Sequence, residues 1–154
     1  MKILAWVAPA TWPAVVDAAT RLPADEITLV AVADSAQLPG RPSPLGSGLR
    51  RGQAANTVRR SIEELLDEAL ARMTGDDARV HTQLLSGPAS REIVQAAQAA
   101  DVLVIARDGD RSRLGPKSLG KDTRFVVDHA PCTVVLVWPG DIPPLGTLPP
   151  PPPR

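Results

Sequence analysis

The chain has 154 residues, a length that fits one domain with a substantial core. Its 17 Lys and Arg residues balance 17 Asp and Glu residues, so no overall field is expected to recruit nucleic acid or an anionic membrane. The single cysteine excludes an internal disulfide framework, and the lack of tyrosine argues against an aromatic platform for single-stranded nucleic acid.

The first part of the chain predicts a strand, a helix and a second strand. The apolar run Ile3–Val7 is typical of a strand buried on both faces. The longer apolar run Ile3–Ala10 is short for a signal peptide, and Lys2 is its only preceding charge. Apolar residues then recur at helical spacing after Thr11, the expected N-cap, until Pro23 ends the helix. Ile27–Asp34 is rich in β-branched residues and predicts the second strand.

The middle of the chain predicts a loop, a long helix and a third strand. Three prolines and three glycines in Gln37–Gly48 exclude regular structure there, and the sequence leaves open whether Leu38–Gly48 covers a site. Gln53–Met73 carries one apolar face and one charged face, which predicts an amphipathic helix that ends at Gly75. Arg79–Leu85 predicts the third strand.

The second half of the chain repeats the alternation. A helix is expected from Pro88, a fourth strand in DVLVIA, a helix over Leu119–His129 and a fifth strand in PCTVVLVW. Separate helices between the strands favour an α/β fold with a doubly wound, five-stranded parallel sheet of Rossmann-like type. Ligands of such sheets bind at the carboxyl ends of strands, here predicted to be strands one and four.

Residues 139–154 contain eight prolines and stand outside the predicted domain of residues 1–138. They predict a disordered tail of polyproline II character. A solvated tail is the default interpretation, and a protein partner with an aromatic groove is the alternative. The two histidines, His81 and His129, are far apart and have no partner at ligand spacing, so no metal site is predicted.

Two segments resemble the universal stress protein family. GPASREIVQAAQAADVLVIA, at 87–106, is similar to the family's third helix and fourth strand, and VVDHAPCTVVLV, at 126–137, to its closing helix and strand. The resemblance covers Lys2 to Trp138. It implies the adenine nucleotide alpha hydrolase-like form of the fold with strand order 3-2-1-4-5. It also implies a cytoplasmic stress-response role and a homodimer, often joined through the last strand.

The stretch RDGDRSRLGPKSLGK, Arg107–Lys121, stands where ATP-binding members of that family carry G-x2-G-x9-G-[ST]. Aligned on Gly120, it reads R-x2-D-x9-G-K, so two glycines and the hydroxyl are replaced. The aspartate that the ATP binders carry after strand one falls on Ala8. The candidate nucleotide-binding positions implied by the resemblance are Ala8, Val32, Arg107, Asp110, Gly120, Lys121 and Asp122.

These replacements predict that ATP is not bound in the family's usual pose. A Cβ at a glycine position meets the phosphate, and Asp110 adds a negative charge beside it. No cofactor is therefore expected, although ATP or another anion held by basic side chains stays open. The basic side chains of this stretch are Arg107, Arg111, Arg113, Lys117 and Lys121. A solvated charged loop is the plainest alternative.

Strand five predicts an apolar edge that pairing with a second copy would close. The candidate dimer residues are Thr133, Val134, Val135, Leu136, Val137 and Trp138. No nucleophile motif such as G-x-S-x-G is present, so no catalytic residue and no enzyme activity are predicted. Cys132 is expected to be a buried small residue, with a reactive thiol as the alternative.

Overall fold

The computed structural model describes residues 1–34, 47–73 and 78–154. Within these residues, five strands and four α-helices alternate, as the sequence predicts. They are β1 (Lys2–Trp6), α1 (Trp12–Thr20), β2 (Glu26–Ala33), α2 (Ser47–Arg72), β3 (Arg79–Ser86), α3 (Ala89–Ala96), β4 (Val102–Ala106), α4 (Lys121–His129) and β5 (Thr133–Val137). Within the described part of the chain, no helix is long and apolar enough to cross a membrane.

The five strands form one parallel sheet in the order β3-β2-β1-β4-β5, which confirms the predicted fold and strand order. The order reverses direction between β1 and β4, so the two strands predicted to carry the site are neighbours. Their register pairs Ile3 with Val102 and Ala5 with Val104. The carboxyl ends of β1 and β4 therefore open on the same edge of the sheet.

Both faces of the sheet are covered by helices. One core contains Val15 and Val16 of α1, Leu66 of α2 and alternate residues of β1, β2 and β4. The other contains Ile93 of α3 and Val126 of α4, packed on the remaining strand residues. Every residue of β4 is buried because its neighbouring side chains enter opposite cores, which explains its unbroken apolar run.

Helix α2 begins at Ser47, earlier than the predicted Gln53. The predicted loop Gln37–Gly48 falls mostly on 35–46, outside the described residues, and Gly48 belongs to the helix. The predicted stop at Gly75 also lies outside them. Helix α4 begins at Lys121, two residues after the predicted Leu119, because Gly120 has the extended dihedrals of an N-cap (φ −66°, ψ 171°).

Candidate functional site

The candidate site is the segment Arg107–Gly120, called the basic loop below, which connects β4 to α4. The N–H of Arg107 donates to the carbonyl of Val137 at 2.9 Å, so the loop leaves the sheet beside the end of β5. Ala8 follows β1 at the same edge, and its carbonyl accepts hydrogen bonds from the N–H groups of Thr11 and Trp12 at the start of α1. Val32, near the end of β2, packs against the second core.

The side chain of Arg107 is an internal anchor. Its Nη1 donates to the hydroxyl of the fully buried Ser118 at 2.6 Å, and its guanidinium carbon lies 4.4 Å from the centroid of a Trp138 ring. Ser118 in turn donates to the carbonyl of Gly115 at 2.7 Å. The Nε atom of Arg107 is buried and has no hydrogen-bond partner in the described structure. The residue that replaces the first motif glycine therefore closes the loop on itself.

The backbone of the basic loop is closed by two hydrogen bonds across it. The N–H groups of Gly109 and Asp110 donate to the carbonyls of Ser118 and Lys117, each at 2.8 Å. A Cβ on Gly109 would lie 2.3 Å from the Lys117 carbonyl oxygen, so this approach requires glycine. These two donors are not available to a phosphate while the loop keeps this shape.

A carboxylate of the chain occupies the N-terminus of α4. Asp108 Oδ1 accepts a hydrogen bond of 2.7 Å from the N–H of Gly120, the N-cap residue of that helix. A helix N-terminus favours an anion because its first N–H groups lack helical partners and the helix dipole is positive there. Asp108 thus places a carboxylate at the N-terminus of α4, where an anion is favoured.

Sequence reasoning missed Asp108, although one signal was available. The residue before α4 is glycine, which has no side chain to cap the helix, and Asp108 is the carboxylate that directly follows the end of β4 and Arg107. A second strand-following carboxylate acts in the same way, since Asp34 Oδ2 accepts from the N–H of Ala89 at the start of α3.

Asp110, at the second motif position, is exposed, and its side chain bonds to the backbone and side chain of a residue two positions later. Its Oδ1 accepts from the hydroxyl of Ser112 at 2.6 Å and from the backbone N–H of Ser112 at 3.0 Å. These hydrogen bonds, the side-chain one first, hold the pKa of Asp110 below its usual range. The carboxylate is therefore ionised at neutral pH, and it adds to the negative charge of Asp108.

The stretch Arg107–Lys121 carries five cations, of which Lys121 lies just after the basic loop. Arg111, Arg113, Lys117 and Lys121 are exposed. Between described residues, no ion pair within 4.0 Å involves any of them or Arg107. Arg111 Nη1 donates instead to the carbonyl of Pro139 at 3.3 Å. Lys121 and the half-buried Asp122 form the first turn of α4.

The first part of the proline-rich tail lies against this loop. Pro143 is buried, and the N–H of Leu114 donates to Thr147 Oγ1 at 2.9 Å. A short 3-10 turn, Leu145–Thr147, holds Thr147 in place through its bond to the Pro144 carbonyl at 2.7 Å. The sequence predicts disorder throughout 139–154. These contacts add a docked conformation of the segment up to Thr147.

A separate cleft of about 240 Å³ lies at the carboxyl ends of β2 and β3, against α2. Its polar lining consists of Asp34, Asn56, Arg59 and Ser86. None of the predicted nucleotide-binding residues lines it. The sequence offered no signal for this cleft because its walls come from elements far apart in the chain.

Five of the candidate dimer residues, Thr133 to Val137, form β5, which is an edge strand of the sheet, and the sixth, Trp138, follows it directly. Thr133 is exposed, and Val134 to Trp138 are half-buried. Cys132, just before them, is also half-buried, and burial raises the pKa of its thiol. Among the described residues, no group of three His, Cys, Asp or Glu side chains is placed to hold a metal ion.

Comparison with solved structures finds the same fold in universal stress proteins. One from Burkholderia pseudomallei is 24% identical with a TM-score of 0.62, covering 90% of this chain and 96% of its own. An Arabidopsis thaliana family protein with AMP bound is 17% identical with a TM-score of 0.57, covering 91% and 92%. A universal stress protein in complex with cAMP is 17% identical with a TM-score of 0.63, covering 91% and 98%.

A search of curated protein sequences finds no match to this chain. The model of the universal stress protein family matches residues 9–137, which is most of the chain and includes all four helices and the strands β2 to β5. With the sheet order of the family resemblance also observed, the chain belongs to the universal stress protein family.

Proposed function

We propose that this protein is a cytoplasmic stress-response module that does not bind ATP in the family's usual pose and acts through dimerisation or protein partners. The observation that carries the proposal is the hydrogen bond from the Gly120 N–H to Asp108. A phosphate at the start of α4 would have to displace that carboxylate or lie beside it. Either arrangement is disfavoured, because like charges at close range repel and a capping bond is lost.

The closed backbone of the loop supports the same proposal. The N–H groups of Gly109 and Asp110 are already bonded to carbonyls across the loop. Ala8 supplies no carboxylate at the end of β1, so a polar anchor for the adenosine is lacking at that position. The proposal includes no catalytic step and no resident cofactor.

A second candidate function is a switch that responds to an anion, with ATP or another nucleotide as one such ligand. The observation that favours it is the Nε atom of Arg107, which is buried and has no hydrogen-bond partner in the described structure, because an unsatisfied buried donor is costly. The solved relatives with AMP and cAMP show that this fold accommodates nucleotides in those proteins. Basic side chains of the loop would then replace the glycine cradle.

Calorimetric titration with Mg-ATP separates the two functions. The first predicts no heat of binding up to about 1 mM ATP, and the second predicts saturable binding at micromolar to submillimolar concentration. A matched variant, Arg107→Gly with Asp110→Gly and Lys121→Ser, restores the motif glycines and hydroxyl. Combining it with Asp108→Ala tests whether the carboxylate also blocks the site: ATP binding only in the quadruple variant supports the proposed role of Asp108.

The dimer is proposed to form through β5. Edge strands present unpaired backbone groups, and residues 134–137 are all apolar. Light scattering after size-exclusion chromatography at micromolar concentration tests this. A mass of twice the 16.3 kDa chain is expected, and a mass of one chain contradicts the dimer.

A further inference from the structure

We propose that Leu148–Arg154 is a preformed polyproline II ligand, held out from the domain for a protein whose groove is lined by aromatic side chains and has an acidic group at one end. The inference rests on the proposed function, in which protein partners act on this chain, and it names the class of one partner. It is carried by the backbone, the exposure and the anchoring of the tail.

The backbone enters the segment in the required conformation. Pro144 has φ −63° and ψ 151°, and Leu148 has φ −60° and ψ 138°. Both lie in the polyproline II region, and five consecutive prolines follow Leu148. Because each proline ring fixes φ near −65°, little conformational entropy is lost when the segment binds.

The segment is exposed, and it directly follows Thr147, a residue that is bonded to the basic loop. All seven residues 148–154 are exposed, and Leu148 is 55% exposed despite its apolar side chain. Pro143 is buried, and Thr147 is bonded to the N–H of Leu114. The last anchoring contact of the tail, at Thr147, therefore directly precedes the exposed segment. A partner can bind the exposed residues without removing Thr147 from the basic loop.

The side-chain pattern specifies the groove. Polyproline II has three residues per turn, so Pro149 and Pro152 lie on the same edge, each preceded by an apolar residue, Leu148 or Pro151. Grooves that recognise such segments are formed by aromatic rings that accept these paired residues. Arg154 lies about 6 Å beyond Pro152. A carboxylate at that end of the groove would complement its charge.

The test is an NMR titration of an isotope-labelled SH3 domain that selects P-x-x-P-x-R ligands, with the full chain as the titrant. Saturable shifts of the SH3 aromatic groove are expected below about 1 mM chain. Pro149→Ala with Pro152→Ala should weaken binding at least about tenfold. In that variant the remaining proline pair is Pro150 and Pro153. Arg154 then follows the second proline directly, whereas the P-x-x-P-x-R pattern requires one residue between them. The matched control, Pro150→Ala with Pro153→Ala, should weaken it less than about threefold.

Two results would overturn the proposal. One is the absence of SH3 shifts up to about 1 mM chain, and the other is equal weakening by the two double variants, which would mean that composition rather than register governs binding. Labelling the chain instead supplies the second readout. The Leu114 amide resonance should stay in place on SH3 binding, and its displacement would contradict anchored presentation. ATP binding in calorimetry would defeat the proposed function without changing any of these readouts.

Discussion

The carboxylate of Asp108 accepts a hydrogen bond of 2.7 Å from the backbone N–H of Gly120, across a loop of eleven intervening residues. It gives α4 a cap that its own N-cap glycine cannot provide. It also puts a fixed negative charge where a nucleotide-binding loop in this fold would receive a phosphate. The same side chain thus caps α4 and, in the proposed function, disfavours a phosphate at this position.

Replacing Asp108 separates these two effects. Asp108→Ala should lower the free energy of unfolding by about 1 kcal/mol, as losing a capping side chain does. Urea denaturation measures this, with Asp141→Ala in the exposed tail as the control. The variant should also gain more thermal stability from added inorganic phosphate than the parent, because the N-terminus of α4 is freed. Unchanged stability together with an unchanged phosphate response would contradict the assigned role.

Gly109 is expected to tolerate no side chain. Gly109→Ala places a Cβ 2.3 Å from the Lys117 carbonyl, so the loop must open and lose the two cross-loop hydrogen bonds. We expect a destabilisation of about 2 kcal/mol, or more, by urea denaturation. Gly146→Ala is the matched control, since nothing lies within 4 Å of its added Cβ. Equal stability of the two variants would show that the loop is not closed as described.

The fold could be predicted from the sequence because its signals are local. The unbroken apolar run of β4 and the helical spacing of α2 follow directly from burial on two faces or on one. The replaced motif positions were equally readable once Gly120 was chosen as the reference. The contacts of their side chains could not be predicted from the sequence. Arg107, for example, contacts Ser118 and Trp138 rather than pointing to solvent.

The remaining features depend on contacts between distant residues. Asp108 caps α4 because Gly109 lets the loop close, and no local pattern encodes that closure. The tail has the composition of a disordered segment, and its disorder stays a prediction that measurements in solution can test. Its docking at Pro143 and Thr147 requires the folded loop as a surface. Propensity describes a segment alone, whereas these contacts exist only in the assembled domain.

The outward backbone groups of β5 allow a selective test of the dimer. The backbone N–H of Thr133 donates to the Asp101 carbonyl, and the Val137 carbonyl accepts from the backbone N–H of Arg107. The backbone groups of alternate residues 133, 135 and 137 therefore face β4. The N–H groups of Val134 and Leu136 therefore point to the open edge. Val134→Pro removes one outward donor, which an edge strand tolerates. It should shift the mass in light scattering from two chains to one.

The control for this experiment is Val134→Ala, which removes two methyl groups from the side chain but keeps the N–H group. It should remain a dimer at concentrations where Val134→Pro is a monomer. Circular dichroism checks that both variants keep the α/β spectrum of the parent. If both variants dimerise as well as the parent does, backbone pairing through β5 is not the basis of the assembly.

The ion pair of Asp17 with Arg72 gives a pH-dependent contribution to stability. Arg72 donates from Nε and Nη2 to the two carboxylate oxygens at 2.8 and 2.9 Å, and these hydrogen bonds hold the pKa of Asp17 below its usual range. A carboxyl whose pKa is lower in the folded state stabilises that state above its unfolded pKa of about 3.9. The effect is lost as the pH falls through the folded value.

Asp17→Asn should therefore lower Tm by roughly 1–3 °C at pH 7. The effect is small because both side chains are partly exposed. The difference from the parent should shrink as the pH falls below about 4. Asp67→Asn on the exposed face of α2 is the control; between described residues no ion pair within 4.0 Å involves Asp67. A Tm difference for Asp17→Asn that stays constant down to pH 2 would show that the pair does not set the pKa of this carboxyl.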